Sequence, residues 1–207
     1  MPCVKRILDL LLASIGILLL WPLMLLIAGL VRLEDGGPAF FCQERIGKDG
    51  IGFQIYKFRS MQPASQGRLI TVAGDRRITR IGGVLRRTKL DELPQLLNVL
   101  RGEMSLVGPR PEVRRYVDRY TPDQRLLLEL KPGITDPASI AFFDEERILA
   151  AAADPERAYV ETIMPEKIRI NLDYAARATP WSDLCTIALT LRSLVQRSPR
   201  HDRVACP

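Results

Sequence analysis

Histidine is all but missing from this chain of 207 residues: one occurs, His201, in a polar tail that runs from Ser198 to Arg203. A Ser-His-Asp relay and a His-rich metal site are thereby excluded. Cysteine is scarce as well. Cys3, Cys42, Cys185 and Cys206 are scattered without a CxxC spacing, which excludes a zinc ribbon and a disulfide framework. No helix-turn-helix, zinc-finger or RNP signature accompanies the basic charge, so nucleic acid is not an expected partner. After residue 32 no apolar run is long enough to span a bilayer. Whatever chemistry occurs falls to carboxylates, hydroxyls, Lys, Arg or a bound cation.

What the chain does have is an apolar run from Leu10 to Val31, led by Lys5 and Arg6 and closed by Arg32. As a helix it would extend about 33 Å, enough for a hydrocarbon core about 30 Å thick. Two features argue against a simple crossing. Pro22 interrupts the helical hydrogen bonding in mid-run, and positive charge flanks both ends, which suits two ends on the cytoplasmic face. A re-entrant helix-break-helix satisfies both, with Ser14 and Trp21 as local helpers. One straight span kinked at Pro22 is the competing arrangement, and it would export everything after residue 32. A secretory signal peptide fits poorly, because the run is long and no small-x-small site follows.

The remaining residues amount to one domain. The reading is therefore residues 1–32 as a re-entrant membrane helix, 33–200 as a cytoplasmic catalytic domain and 201–207 as a disordered tail. Thirty Lys and Arg against twenty-four Asp and Glu suit anionic headgroups or phosphorylated substrates. Residues 39–60 alternate around the Gly47–Gly52 turn and predict two short strands. Residues 62–75 read as a mobile loop, and residues 78–100 as helix interrupted between Asp91 and Pro94. Residues 112–130 and 155–177 read as amphipathic helices. A last helix carries Trp181, Leu184, Ala188, Leu191 and Val195 at helical spacing, with Arg192, Arg197 and Arg200 alongside; that stripe suits a membrane surface or the protein core. The fold class is α+β, mostly helical.

The chemistry concentrates between Arg86 and Gln95. Pro94 is comfortable only in a first helical turn, so a helix starting near Asp91 is expected, with Asp91 and Glu92 at its positive end. That end favours ionised carboxylates and can hold a phosphate beside them. Acidic first turns are also ordinary caps. Here three cations, Arg86, Arg87 and Lys89, precede the pair, and Pro109 and Pro111 stiffen a turn that displays Arg110. Rigid presentation of a guanidinium suits bidentate phosphate recognition. Lys57 and Arg59 alternate on an extended segment and are expected to face phosphates.

Five segments then carry a resemblance: Lys57–Met61, Asp75–Gly82, Leu90–Val99, Met104–Pro111 and Lys131–Thr135. In this order they resemble the bacterial sugar transferases known as monotopic phosphoglycosyl transferases, over residues 4 to 135. The resemblance implies transfer of a phospho-sugar from a UDP-sugar to polyprenyl (undecaprenyl) phosphate with release of UMP, at the start of glycoconjugate assembly. It implies Asp91 as the nucleophile of a covalent phospho-sugar intermediate. It implies Glu92 as the partner acid that binds Mg2+ with Asp91 and helps deprotonate the lipid phosphate. Arg77 and Thr79 fall in a family motif. The implied location is the bacterial inner membrane, monotopic, with the catalytic domain on the cytoplasmic face and downstream glycosyltransferases as partners; the oligomeric state stays open.

The chain departs from the family after Thr135, reading Asp136-Pro137-Ala138-Ser139-Ile140-Ala141-Phe142. Residues 136–160 are thus a candidate specificity region, with Asp144, Glu145 and Glu146 either meeting the sugar or starting a helix. A membrane-anchored UDP-sugar phosphodiesterase and a non-enzymatic basic membrane-binding module are the rival readings.

Overall fold

The computed structural model describes residues 2–62 and 70–196. Part of the expected 62–75 loop, and the tail with Arg197, Arg200 and His201, lie outside the described residues. The α+β, mostly helical class holds. A long helix α1 (Pro2–Asp35) leads into a hairpin of β1 (Phe40–Ile46) and β2 (Gly52–Phe58), then helices α2 (Arg80–Thr88) and α3 (Gln95–Arg101). After β3 (Ser105–Val107), α4 (Arg114–Val117) and β4 (Gly133–Thr135) come α5 (Pro137–Ala141), α6 (Glu145–Ala150), α7 (Pro155–Ala158), α8 (Met164–Ala175) and α9 (Pro180–Gln196). The expected strands in 39–60 pair antiparallel, from Phe40 opposite Phe58 to Ile46 opposite Gly52, while β3 and β4 pair in parallel.

Pro22 sits inside α1, not between two helices. The expected helix-break-helix is therefore one continuous helical run. A mid-helix proline costs about 3 kcal/mol, and packing on either side of it offsets that cost. Before Pro22, Ala13 and Ile17 pack with Leu96, Val99 and Met104. After it, Leu23, Ile27 and Val31 pack with Phe58 and Leu85.

Polar groups fasten both ends of α1. The Arg6 guanidinium donates to the Val99 and Leu100 carbonyls at 2.7 and 3.2 Å, a cation on the negative end of α3. Asp9 Oδ1 accepts from the Leu106 amide at 3.0 Å, and Lys5 Nζ donates to the Val107 carbonyl and to Asp183. At the other end Glu34 Oε1 accepts from the Arg80 and Ile81 amides, the first of α2. One stripe of α1 is thus docked on the domain from end to end. The opposite stripe, with Ile7, Leu11, Leu18, Leu25 and Leu33, is exposed. Only 11% of its most apolar window is buried, so the outer face is left uncovered by the protein.

Helix α9 is built inside out. Trp181, Leu184, Ala188 and Leu191 all face outward, while Asp183 and Thr186 are buried. Tyr174 Oη donates to Asp183 at 2.6 Å, and the Thr135 and Thr190 hydroxyls lie 2.6 Å apart. The core alternative for this stripe is overturned, because hydrogen-bonded polar groups occupy the inward side. The predicted helix over 112–130 is also not one helix. It divides into α4 and a 3-10 run, Gln124–Glu129, because Pro122 offers no amide and disfavours helix at Thr121. Residues 155–177 are helical as expected, with a π-helical turn, Tyr159–Ile163, between α7 and α8. The main core gathers Val113, Tyr116, Tyr120, Leu149, Ile163 and Ile168 between these helices and β1.

Candidate active site

The acid pair is held by a strained corner. Helix α2 ends at Lys89, whose φ of 56° is left-handed, a conformation that costs a non-glycine residue on the order of 1 kcal/mol. The chain then makes a 3-10 turn, Leu90–Glu92, and α3 begins at Gln95 with Pro94 before it. This corrects the expected helix start at Asp91: the acids precede α3 in a tighter turn of their own. Leu90 and Leu93 pack into the cluster of Phe58, Leu85, Ile27 and Val31, which pins the turn to the base of α1. Asp91 and Glu92 end 4% and 7% exposed, so both need compensation for lost water.

Glu92 receives it. Arg110 donates to both carboxylate oxygens, through Nη1 at 3.3 Å to Oε2 and through Nη2 to Oε1, and Lys57 Nζ donates to Oε1 at 3.1 Å. Burial pushes the Glu92 carboxyl upward, but Arg110 and Lys57 outweigh it and hold Glu92 well below the usual range. Glu92 is therefore a poor proton acceptor at neutral pH and a good anchor for cations. Lys57 is pulled down to about 8 by burial, and Arg110 adds to this against the opposing pull of Glu92.

Asp91 does not receive it. Its Oδ1 is buried without a hydrogen-bond partner. Burial raises the Asp91 carboxyl, the charge on Glu92 raises it further, and Lys57, Lys89 and Arg86 oppose the shift. Neighbouring carboxyls driven apart in this way are divided between two tasks. One is a neutralised anchor; the other keeps a lone pair without a donor. Among the described residues no group of three or more His, Cys, Asp or Glu is placed to hold a metal ion. A cation here would take Asp91 and Glu92 from the protein and the rest from water and phosphate oxygens, as Mg2+ does. The orphaned Asp91 oxygen fits that use.

The other expected contacts divide. Lys57 and Arg110 meet Glu92. Arg59 does not face the site: it donates to Asp35 and, at 3.4 Å, to the Val31 carbonyl, because its backbone step beyond β2 turns it toward the end of α1. Arg77 pairs with Asp75, with Nε to Oδ1 at 3.0 Å and Nη2 to Oδ2 at 2.6 Å, and so shapes the segment before α2. Thr79 caps α2 by accepting from the Gly82 amide at 2.9 Å. Arg86 pairs with Glu146 while its charge still reaches Asp91. Arg87 is exposed on α2, and Pro22 is exposed on α1. The acidic cluster proves to be the start of α6, with Glu146 on Arg86 and Glu145 Oε2 accepting from Lys167 at 2.6 Å.

The family model for the bacterial sugar transferases matches residues 1–197. The chain belongs to this family. It is 39% identical over 194 residues to a UDP-N-acetylgalactosamine-undecaprenyl-phosphate N-acetylgalactosaminephosphotransferase of Aeromonas hydrophila, covering 93% of this chain and 44% of that protein. Two UDP-glucose:undecaprenyl-phosphate glucose-1-phosphate transferases are similar. That of Caulobacter vibrioides is 39% identical over 198 residues, covering 92% of this chain and 69% of that one. That of Escherichia coli is 36% identical over 198 residues, covering 90% and 39%. The chain thus spans less than half of the Aeromonas and Escherichia proteins.

Within this chain the two proline-rich motifs are one object. The Ser105 amide donates to the Pro132 carbonyl at 2.8 Å, Gly133 to Pro109 at 3.0 Å and Gly108 to Thr135 at 3.0 Å. A Cβ on Gly108 would lie 2.3 Å from the Lys131 carbonyl, and one on Gly133 would lie 2.1 Å from the Gly108 amide. Only glycines let the two backbones approach, and the resulting ladder presents Arg110 between Pro109 and Pro111. Two residues of the Leu90–Val99 motif had no assigned part. Gln95, 1% exposed, keeps a buried unpartnered Nε2 one turn beyond Asp91. Asn98 Nδ2 donates to the Gln54 carbonyl and to Glu103, both at 2.7 Å, and Asn98 Oδ1 accepts from the Tyr56 amide at 3.1 Å. This rivets α3 to β2 and so Asp91 to Lys57. The available signal was an amide side chain on an otherwise apolar helix face.

Proposed function

We propose that the chain transfers a phospho-sugar from a UDP-sugar to polyprenyl phosphate and releases UMP, with Asp91 as the nucleophile. The observation that carries this reading is the unpartnered Asp91 oxygen beside a Glu92 that Arg110 and Lys57 already neutralise. The Asp91 carboxylate oxygen that does not hold the cation attacks the sugar-bearing phosphorus, the bond from that phosphorus to the bridging oxygen breaks, and UMP leaves with the electron pair. An oxygen of the lipid phosphate then attacks the same phosphorus and frees Asp91. Splitting the transfer lets the soluble nucleotide depart before the lipid anion arrives. Two of the five Arg110 donors are engaged by Glu92, so three remain for the diphosphate. Mg2+ held by Asp91, Glu92 and the diphosphate would supply charge neutralisation. The printed names of the relatives, which join a UDP-sugar to undecaprenyl phosphate, support the substrate classes.

The same reading places the chain monotopically on the cytoplasmic face of the bacterial inner membrane. Its support is a helix α1 docked on the domain before and after Pro22, with α9 turning a second apolar stripe outward. A perpendicular crossing would drag the charged α2 and α3 into hydrocarbon. The exposed Cys3 lies in the first turn of α1 and the exposed Cys42 in β1, beyond its far end. As single-cysteine variants in intact cells, both are expected to resist an impermeant maleimide until permeabilisation; labelling of either before it defeats this topology.

The activity is tested by UMP release from a panel of UDP-sugars with Mg2+ and polyprenyl phosphate. Asp91→Asn is expected to abolish release and keep the fold. Without lipid acceptor, the intact mass of the wild-type chain is expected to rise by one phospho-sugar. Free sugar phosphate with no lipid requirement would establish the phosphodiesterase reading instead, and release undiminished by Asp91→Asn would remove the assigned nucleophile.

A further inference from the structure

The Pro109–Pro111 turn is gripped from its far side by residues outside the five motifs, apart from Pro111 itself. Glu112, the next residue, bridges to β1, where the Ile46 amide donates to its carbonyl at 2.8 Å. Its side chain is taken by two partners. Tyr159 Oη donates to Oε1, and Arg45 Nη1 lies 3.7 Å from Oε2. The same Arg45 Nη1 donates to the Pro111 carbonyl at 3.2 Å. Tyr159 is 5% exposed and opens the π-helical turn between α7 and α8. Such turns add a residue that re-aims its neighbours and recur at functional sites. Tyr116 packs on the Tyr159 ring at 5.2 Å, and the Lys167 ammonium sits 5.9 Å from its centre. The ring is therefore fixed, and its hydroxyl has one direction in which to point.

From this geometry we infer that Tyr159 and Glu112 are positioning residues that aim Arg110 at the donor diphosphate. The inference rests on the proposed function and deepens it, because it explains how the helical half of the domain acts on the acid pair. The ladder of β3 and β4 fixes the turn's inner edge, while Glu112, clamped between Arg45 and Tyr159, fixes its outer edge. Burial keeps the Tyr159 hydroxyl protonated far above neutral pH, so the clamp is a permanent donor to Glu112 and not a titrating switch. Small displacements of a charge-binding group are costly: about 1 Å can remove on the order of 100-fold in rate.

The test uses UDP as the probe, titrated calorimetrically into the full chain in detergent with Mg2+. Tyr159→Phe keeps the ring and loses the hydroxyl; it is expected to weaken UDP binding about fivefold, the value of one buried hydrogen bond, with an unchanged circular dichroism spectrum. Arg110→Ala weakens binding more, and Tyr159→Phe placed on Arg110→Ala costs nothing further, since contacting residues in one network are not additive. Glu112→Gln, which keeps an acceptor for Tyr159 and loses the charge facing Arg45, tests the other half of the clamp by the same cycle if Tyr159→Phe folds poorly. An equal loss in both backgrounds, or no loss in the wild type, overturns the positioning role while leaving the functional reading in place. A wild-type chain that ignores UDP overturns both.

Discussion

Lys57 is expected to make activity and stability respond to alkali in opposite directions. Its ammonium is buried against Glu92 with Arg110 close by, and its side chain is 17% exposed. Burial takes it from its ordinary 10.5 to about 8. Below pH 8 both folded and unfolded chains carry the proton, and the folded chain bears the full cost of the buried charge. Between 8 and 10.5 the unfolded chain binds more protons, so stability rises with pH. The whole gap corresponds to about 3 kcal/mol at 1.36 kcal/mol per unit, of which about 2 kcal/mol falls between pH 8 and 10. Lys131, also lowered by burial, adds in the same direction, and Tyr116, Tyr120, Tyr159 and Tyr174, all raised by burial, act against it as pH nears 10, so the contribution of Lys57 is read as the difference from Lys57→Met. Over the same interval kcat/KM for the proposed UDP-sugar substrate is expected to fall, because a neutral amine no longer offsets phosphate charge. Lys57→Arg keeps its charge, and its alkaline limb moves above pH 10. Thermal unfolding and UMP release in detergent, measured at half-unit steps, decide the matter. An alkaline limb near pH 8 in both wild type and Lys57→Arg would refute the argument.

Two further outcomes follow from side chains with unexpected partners. Arg59→Ala is expected to leave UDP affinity within about twofold, since Arg59 holds Asp35 and Val31, and to speed amide exchange over residues 31–37; a large loss of UDP affinity would return Arg59 to the phosphates. Asn98→Ala removes a fully buried amide that holds three hydrogen-bond partners and is expected to cost about 2–4 kcal/mol in thermal unfolding; an unchanged melting temperature would dissolve the rivet between α3 and β2.

Much of the site was legible from local pattern. Lys57 on an alternating segment, Asp91 and Glu92 behind a basic run, and Arg110 between two prolines are each local features, and all four converge on one point in the fold. Arg59 was misread because alternation fixes the side of a strand only while the strand lasts, and β2 ends at Phe58. Arg77 and Thr79 lie in a motif for what they do to backbone: one closes the turn before α2 and the other caps it. Tyr159 and Glu112 carried no local signal, because they are 47 residues apart and only the packing of the π-helical turn against α4 brings them together.

The order of residues by itself determined the chemistry on offer: a chain almost without histidine, an acid pair among cations, a stiffened arginine and an apolar helix with a proline inside it. Tertiary structure alone decided how these were used. It put both cations in contact with Glu92 and left Asp91 Oδ1 without a hydrogen bond, turned the apolar stripe of α9 outward, and laid α1 along the domain instead of away from it. The physical reason is that a carboxylate's partner, a stripe's solvent and a helix's neighbour are properties of distance across the fold, and periodicity along the chain is blind to them.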